Sequence, residues 1–412
     1  MTENQFNTIL GIAGTVVLLG ILYSPTVRRA QLWTITVTPL ASIIGSGFLI
    51  TAPLLYHHFG RLAVPAIIVI NTLAMGVGLA IRHNIKYFDT DRPAMQSRPV
   101  RALGALERLA NIALAISYVI SVAFYTILLS AFALEALGLY SDIGVRASST
   151  VILIFVASYG YFKGLHGLEG LEKAAVNLKM AIIAGLLLVL AWFNWSSGSD
   201  GASYSLPILN VHSFRILGGM LLVVQGFETT KYLGHAYEVT PRVRALLLAQ
   251  VIATSVYVAF VWLVGPLAGG VDTTNETAII EVISKLAVAL GLTLSVGAIC
   301  SQFSAAVADT VGTGGIVVAE TRGRFPERRA YVLIIALAIA LLWTFDVFIV
   351  LALASRAFAA YYGLQCIIAV ITAWQQPAST KRTWKLIAFS LLAALLILIA
   401  LFAIPAEEAA SG

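Results

Sequence analysis

The chain has 412 residues, of which 59% are hydrophobic and only 11% are charged, and its mean hydropathy is +0.91. A soluble globular protein carries about 25% charged residues, so this composition excludes a soluble enzyme or binding module and predicts a polytopic membrane protein in a lipid bilayer. The formal net charge of +6 is spread over loops without a folded basic domain, so no nucleic-acid partner is predicted.

Apolar segments of about 20 residues, the helix length that crosses a bilayer, recur along the chain. The alternating ten-residue segments typical of a membrane β-barrel are not found in the sequence. Twelve spanning helices are predicted, at residues 6–23, 34–55, 62–82, 109–137, 149–162, 174–195, 214–233, 245–268, 290–319, 330–346, 348–373 and 384–404. The first segment lacks the basic start and the small-residue cleavage site of a signal peptide, so we interpret it as a retained helix.

Positive charge is distributed unevenly between the two sets of loops. Only Arg61, Arg146, Arg215 and Lys285 lie on one side. Because cytoplasmic loops retain positive charge during insertion, the other side is predicted to be cytoplasmic, with both termini facing outward from an inner or plasma membrane. That side holds twenty Lys and Arg residues, in or beside the loops at residues 24–33, 82–108, 163–173, 231–244, 320–329 and 374–385.

Two of the predicted helices contain glycine-rich stretches. The second segment contains IIGSGF, Ile43 to Phe48, and the seventh contains VVQGFETTKYLG, Val223 to Gly234. Glycine tolerates the torsions of an unwound turn, but small residues also mediate close helix packing, so Gly45 and Gly47 alone fit both interpretations. If the first segment is an addition, the two stretches begin corresponding five-helix halves. Interruptions in corresponding positions indicate an inverted repeat with a substrate site near the bilayer midplane.

Three charged residues, Lys179, Glu228 and Asp309, fall inside apolar segments. At the centre of a membrane helix such a group costs ~2.5 to 3.5 kcal/mol on insertion scales, so it normally faces a partner or a water-filled path. Lys179 also fits a side chain that extends to the cytoplasmic surface. Glu228 also fits a residue capped by backbone beside a helix break. Asp309 lies well inside its segment, which favours a partner in the protein.

Residues 34–404 resemble the amino acid, polyamine and organocation (APC) transporter superfamily. IIGSGF resembles its helix 1 signature, and VVQGFETTKYLGHAYEVTPRVRALL resembles its helix 6, with the glycine-aromatic-acid turn at Gly226, Phe227 and Glu228. ETRGRFPE, Glu320 to Glu327, is similar to the loop after helix 8. The chain departs from the family at its extra amino-terminal helix and at DTVGTGG, where members more often have apolar residues.

The resemblance implies an all-α polytopic fold of the leucine-transporter type, a five-plus-five inverted repeat with discontinuous helices 1 and 6. About twelve transmembrane helices are expected, including the extra one at the amino terminus. The implied organisation is an extra helix and linker at residues 1–30, a single transporter domain at 31–404 and a short tail at 405–412. Within the domain, the first repeat covers about 34–195, the second about 214–373, and an additional helix 384–404.

The resemblance also implies a coupling site. The lysine of the family's helix 5 falls on Lys179, and in proton-coupled members its ammonium occupies the place of the sodium ion that sodium-coupled relatives hold between helices 1 and 8. The helix 8 residues facing that place fall near Asp309. Lys179 and Asp309 are therefore expected to meet as an ion-coupling pair that binds and releases a proton. A static structural ion pair and a sodium site at Asp309 remain open.

The function implied is a permease, a secondary active transporter and symporter that moves an amino acid or a related small organic solute with protons or sodium. Amides of the first interruption would bind a carboxylate and carbonyls of the second an ammonium, with aromatic side chains as walls. The residues predicted to bind substrate are Ile44, Gly45, Ser46, Gly47, Phe48, Tyr118, Tyr125, Val224, Gln225, Gly226, Phe227 and Glu228.

No cofactor and no metal site are predicted, and neither a phosphate-binding motif nor the HExxH and GxSxG motifs of membrane enzymes occur in the sequence. Two alternatives to an amino acid transporter stay open. One is an inorganic cation channel or transporter that uses Asp309 and Glu228 as ligands. The other is a non-transporting sensor or assembly subunit on the same fold. The sequence predicts neither the substrate's identity nor the oligomeric state.

Overall fold

The computed structural model describes residues 2–45, 47–90, 98–196, 204, 206–207, 209–224, 226–268, 278–344 and 347–404. All regular structure in these ranges is helical, as the fold prediction requires. Short 3₁₀ helices cover Gly60–Leu62, Leu221–Val224, Phe227–Leu233 and Gly265–Leu267. The α-helices are α1 Glu3–Tyr23, α2 Pro25–Arg28, α3 Gln31–Ile43, α4 Gly47–Phe59, α5 Ala63–Thr90, α6 Arg98–Ala136, α7 Asp142–Ser196, α8 Val211–Met220, α9 Val239–Val264, α10 Ala278–Leu286, α11 Val288–Glu320, α12 Glu327–Thr344, α13 Val347–Trp374 and α14 Thr380–Phe402.

Eight helical stretches in the described ranges are long and apolar enough to cross a membrane by length and composition. One of them, α7, contains both the fifth and the sixth predicted segments. Its backbone departs from helical torsions at Gly164, where φ is +67° and ψ is −162°. A positive φ is uncommon for residues with a Cβ, so glycine permits the change of direction there. Helix α10 was not predicted, because nine residues are too short to cross a bilayer.

The extra amino-terminal helix α1 packs along the second half of α7. Glycines make the close approach possible, since a Cβ added to Gly185 of α7 would lie 2.3 Å from the Gly11 carbonyl oxygen of α1. The opposite face of α1 exposes Ile12, Val16 and other large apolar side chains. In a membrane protein that face suits contact with lipid, and the helix is held by small-residue packing.

Each predicted glycine-rich stretch contains a point where one helical element ends and another begins. Helix α3 ends at Ile43 and α4 begins at Gly47. Helix α8 is followed by the 3₁₀ helix Leu221–Val224. After Gly226, whose φ is +108°, another 3₁₀ helix, Phe227–Leu233, begins, and we call it the second 3₁₀ helix. In this 3₁₀ helix the Thr229 hydroxyl donates to the Gly226 carbonyl oxygen at 2.9 Å. We name the region from Ile43 to Gly47 the first interruption and that from Val224 to Phe227 the second interruption.

The apolar core has two main parts. Helices α4, α5, α13 and α14 contribute to the larger part, α12 contributes to the smaller part, and α3, α6, α7, α9 and α11 contribute to both. Residues of the two interruptions, Ile43, Ile44, Val224 and Phe227, lie in the larger part. Helix α3 and the second 3₁₀ helix contact α11, and α3 also contacts α7, so the interruptions are packed inside the bundle.

A histidine–glutamate pair links two loops on the side predicted to be cytoplasmic. The His235 Nε2 atom lies 3.0 Å from Glu327 Oε1. The hydrogen bond to Glu327 raises the pKa of His235 above its usual value, although partial burial opposes the shift. A raised folded-state pKa means that the pair stabilises the protein fully below about pH 6.5 and loses this contribution as the pH rises through the higher folded value.

We expect the melting temperature of the wild type to fall relative to that of His235→Gln as the pH increases from about 5.5 to 8.5. Thermal unfolding in detergent across this range measures the difference. His212→Gln is the matched control, because it removes a histidine that lies at the start of α8. A wild-type advantage that grows with pH would contradict the prediction.

Candidate functional site

Lys179 on α7 is fully buried and does not extend to the surface. Its Nζ donates to the Ala41 carbonyl oxygen at 2.9 Å, to the Ile44 carbonyl oxygen at 2.6 Å and to Ser304 Oγ of α11 at 3.0 Å. Helix α3 ends at Ile43, so its last carbonyls lack helical partners, and the negative end of its dipole faces the same point. The ammonium therefore satisfies the carbonyls at the end of α3.

Two further side chains bind the carbonyls of the first interruption. Ser301 Oγ donates to the Ile44 carbonyl oxygen at 2.6 Å and lies 3.1 Å from that of Gly45. Tyr257 Oη of α9 lies 2.9 Å from the Ile43 carbonyl oxygen and 3.4 Å from that of Val223. Tyr257 thus contacts backbone on both sides of the site, beside the two interruptions.

Glu228 directly follows the second interruption, in the 3₁₀ helix Phe227–Leu233, and is fully buried. The hydroxyls of Tyr118 and Tyr362 donate to its two carboxylate oxygens, each at 2.6 Å, and the Gly226 amide donates to it at 3.1 Å. The Tyr362 ring stacks on Phe227 with ring centroids 5.4 Å apart. The carboxylate therefore ties α6 and α13 to the broken helix, and the backbone capping considered from the sequence is present as well.

The expected contact between Lys179 and Asp309 is wrong. Among the described residues the Lys179 ammonium forms no ion pair, and Asp309 instead accepts a hydrogen bond from Ser42 Oγ at 2.8 Å. The reason is helical register. Ser304, five residues before Asp309 on α11, faces the ammonium, and five residues correspond to about 140° of rotation around a helix. Both side chains still contact α3, at neighbouring backbone positions 41 and 42.

The two interruptions lie against each other, because a Cβ on Gly47 would lie 2.2 Å from Val223 Cγ1 and one on Gly226 would lie 2.2 Å from Ser42 Cβ.

The residues predicted to bind substrate divide into three groups. Tyr125 lies in a small apolar cluster with Phe124 and Leu128. Ser46 and Gln225 lie outside the described residues. The residues that meet at or beside the interruptions are Ile44, Gly45, Gly47, Phe48, Tyr118, Val224, Gly226, Phe227 and Glu228.

Aromatic side chains fill much of the space beside the first interruption. The Phe48 ring lies 4.5 Å from that of Phe260 and 5.3 Å from that of Tyr257, centroid to centroid. A cavity of only about 20 Å³ lies against Gly45 and Phe48, and it is also lined by Gln302. The Gln302 side chain is buried and its Oε1 has no hydrogen-bond partner. A solute larger than water requires side chains to move here.

A much larger cavity of about 850 Å³ lies between α6, the second 3₁₀ helix and the inner end of α11. Its charged lining comes from loops predicted to be cytoplasmic and includes Arg108, Lys231, Glu320 and Arg322. Tyr232 lies at its inner wall, and its hydroxyl donates to Asn111 Oδ1 at 2.8 Å. The described structure is therefore open on the predicted cytoplasmic side and closely packed around the interruptions.

Several site residues were missed in the sequence. Ser301 and Ser304 carry a signal, since hydroxyls three residues apart lie on one face of an otherwise apolar helix. Tyr257 and Tyr362 carry none, because an aromatic residue in a membrane helix usually packs against its neighbours. Gln302 is next to Ser301 in sequence, and only the fold shows that it faces the small cavity.

Comparisons with known proteins agree with this architecture. Residues 25–403 match a family described as APC superfamily transporter. An uncharacterised protein of Aquifex aeolicus (strain VF5) is 41% identical over 382 residues, which cover 92% of each chain.

Solved structures with similar folds include a manganese transporter of Eremococcus coleocola, with a TM-score of 0.55 and 14% identity over 90% of this chain and 86% of that one. A Na⁺-coupled sialic acid symporter has a TM-score of 0.53 and 13% identity over 98% of both chains. At such low identity these likenesses show the leucine-transporter fold alone. The family match over most of the sequence shows more: this multi-pass membrane protein belongs to the APC superfamily of transporters.

Proposed function

We propose that the protein is a secondary active transporter that moves an amino acid or a related small organic solute and is driven by protons. The observation that carries the proposal is the position of the Lys179 ammonium. It is held by Ala41 and Ile44 carbonyl oxygens and by Ser304, at the junction of α7, α11 and the first interruption. An ammonium at a helix interruption is suited to link protonation to backbone conformation.

The chemistry of the groups that bind the Lys179 ammonium supports proton coupling. A charged ammonium is strongly attracted to two carbonyl dipoles and to the negative end of α3. Loss of the proton removes the charge and weakens all three contacts together, while the buried neutral amine costs less to hold in an apolar site. Protonation of Lys179 therefore favours the contacts between Nζ and the carbonyl oxygens at the end of α3, and deprotonation favours the loss of these contacts.

The surroundings of the interruptions support a zwitterionic solute. The amino-terminal end of α4 at Gly47 presents amide groups and the positive end of a helix dipole, which favour a carboxylate. Glu228 and Asp309 are buried carboxylates near the interruptions, and Gln302 Oε1 is an unused acceptor. An amino group of the solute would interact with these oxygens, as midplane sites in transporters of this kind do.

Inorganic cations are the second candidate, because one protein with the same fold is a manganese transporter. In the described ranges no group of three His, Cys, Asp or Glu side chains is placed to hold a metal ion. The ammonium of Lys179 also repels a cation at the junction that it occupies. These observations favour the organic solute and leave manganese and sodium as outcomes of the test.

A ligand screen tests the proposal directly. Purified protein is heated in the presence of single amino acids, amines, nucleobases, Na⁺ or Mn²⁺, since a ligand that binds the folded state raises its melting temperature. We expect an amino acid or a close relative to raise it, and the same compound to exchange with its labelled form across proteoliposomes. Stabilisation by Mn²⁺ alone, with Mn²⁺ flux and no amino acid exchange, would replace the proposal with inorganic cation transport.

A further inference from the structure

Glu172 on α7 is a buried carboxylate that the proposed coupling does not use. Its side chain is fully buried, and Thr38 Oγ1 of α3 donates to Oε2 at 3.2 Å. Its other oxygen, Oε1, is buried and has no hydrogen-bond partner. A buried carboxylate with one unsatisfied oxygen is costly, so it is expected to take up a proton or contact a water molecule.

Glu172 and Lys179 lie on one face of α7. They are seven residues apart, which is close to two full helical turns and a rise of about 10.5 Å. Both side chains contact α3: Glu172 meets Thr38, and Lys179 meets the Ala41 carbonyl oxygen. Thr38 and Ala41 are separated by about 4.5 Å of helix rise. Because helical side chains lean toward the amino terminus, the lysine extends along α7 toward Glu172.

The same face of α7 continues from Glu172 toward solvent. Glu169 lies one turn away, and Tyr237 Oη donates to its Oε1 at 2.8 Å. The His166 Nδ1 atom is 3.2 Å from Glu169 Oε2, and the His166 side chain is 85% exposed whereas that of Glu169 is 6% exposed. Titratable groups therefore follow α7 from exposed His166 through Glu169 and Glu172 to buried Lys179.

Other titratable groups face Glu172 from the elements packed around α7. Asp309 lies on α11 and Tyr331 lies on α12. Tyr237 follows the second 3₁₀ helix. Two lysines lie near Glu172 on its own helix, Lys173 directly after it and Lys179 seven residues further on. Lys173 donates to the Arg28 carbonyl oxygen and to Thr34 Oγ1 nearer the surface, so Lys179 is the buried cation on this face.

We propose that Glu172 is the relay through which Lys179 exchanges its proton with the predicted cytoplasmic side, an inference that rests on the proposed proton-coupled function. In the structure the three N–H groups of the ammonium bind Ala41, Ile44 and Ser304, so in the proposed step one of these contacts is released and Nζ donates to a water molecule that also contacts Oε1 of the ionised carboxylate. The ammonium gives a proton to this water, and the water gives a proton to Oε1, which leaves a neutral amine and a neutral carboxyl group. The carboxyl group then passes its proton by water to Glu169, and Glu169 releases it to solvent beside His166.

The relay is tested by transport measurements on Glu172→Gln in proteoliposomes. The probe is a ¹⁴C-labelled mixture of the protein amino acids, taken up under an inwardly directed proton gradient, with a pH-sensitive dye in the lumen. We expect uphill uptake and proton arrival to fall by at least about tenfold, because proton transfer by a positioned group contributes this much or more. Exchange of labelled for unlabelled solute without a gradient should stay within about twofold, since it needs no proton release.

The dependence on lumenal pH separates a relay from a merely structural carboxylate. Wild-type uptake should slow as the lumen is acidified at constant external pH, whereas Glu172→Gln should lose this dependence. Glu172→Asp keeps the carboxyl group and should retain the dependence at a lower rate. Glu135→Gln, an exposed carboxylate at the far end of α6, is the matched control and should behave as the wild type.

The outcomes are distinguishable. Wild-type uptake driven by protons, with the same rate and the same lumenal pH dependence in Glu172→Gln, would overturn the relay and leave the proposed function intact. A wild type that shows neither exchange nor proton-driven uptake of the mixture would overturn both. Loss of exchange together with uptake in Glu172→Gln, but not in Glu172→Asp, would assign the carboxylate to solute binding and also overturn the relay.

Discussion

Lys179→Met is expected to abolish uphill, proton-driven uptake while solute exchange without a gradient continues. Methionine fills the buried space but cannot carry the proton, so the side chain that contacts the end of α3 no longer changes charge during transport. A coupling charge lost from a membrane site removes the driving force and not the solute contacts. We expect gradient-driven accumulation to fall by about 100-fold, the result of removing about 2.7 kcal/mol of coupling.

Lys173→Met is the matched control for this variant. Lys173 lies on the same helix and also binds α3, since its Nζ donates to the Arg28 carbonyl oxygen at 2.7 Å and to Thr34 Oγ1 at 2.9 Å. It lies near the surface of the protein, so its loss should leave the proton dependence unchanged. Uptake that survives in Lys179→Met and requires sodium would replace the proton mechanism with a sodium mechanism.

The fold could be predicted from the sequence because two independent signals agree. Hydropathy gives apolar stretches of membrane length, and the two glycine-rich motifs give their place in an inverted repeat. Hydropathy also separated the two halves of α7, because the backbone leaves helical torsions at Gly164, between the fifth and the sixth predicted spans. Helix α10 shows the limit of hydropathy, since a short helix outside the spans carries no hydropathy signal.

The candidate site could be predicted only where charge or glycine marked a residue. Lys179, Glu228 and Asp309 stood out because charges are rare in apolar segments, and all three are buried near the interruptions. Their partners did not follow from sequence, because contact between helices depends on rotation and depth. The wrong pairing of Lys179 with Asp309 has this origin, since Ser304 reaches the ammonium first.

Glu172 was overlooked for a related reason. It lies in GLEGLEKAAVNLK, where neighbouring charges favour a solvated helix end beside a cytoplasmic loop. The structure buries it against Thr38 of α3, so the helix enters the protein interior earlier than hydropathy indicates. Its spacing from Lys179 was visible in the sequence, but a shared helix face has meaning only when the face is known to be buried.

Gly226→Val is expected to remove solute binding and to lower the melting temperature. Gly226 has a φ of +108°, which residues with a Cβ rarely adopt, and an added Cβ would lie 2.2 Å from Ser42 Cβ and 2.9 Å from the Ser42 carbonyl carbon. The branched side chain must push α3 away from the second interruption. We expect ligand-induced stabilisation to vanish, which corresponds to a loss of affinity of about 100-fold or more.

Substitutions of Gly47 and Gly45 in the first interruption are expected to differ in how strongly they weaken solute binding. A Cβ on Gly47 would lie 2.2 Å from Val223 Cγ1, so Gly47→Val should be nearly as harmful as Gly226→Val. At Gly45 the nearest atom is the Ser42 carbonyl oxygen at 2.9 Å, and the next is Ala305 Cβ at 3.8 Å, so Gly45→Ala should weaken binding less. Gly20→Ala on α1 is the control, because nothing lies within 4 Å of an added Cβ there.

Gly226→Ala adds the Cβ that would meet Ser42, so it is also expected to weaken solute binding, and a second-site change tests whether steric contact with α3 is the cause. Ser42→Gly removes the Cβ that the new methyl group would strike, although the positive φ and the nearby backbone atoms of residues 42 and 43 remain. Binding in Gly226→Ala combined with Ser42→Gly should therefore recover in part relative to Gly226→Ala alone. Ser42→Gly by itself gives the reference, because it also removes the hydroxyl that donates to Asp309. If the two effects simply add, contact between the interruptions is not what the glycine preserves.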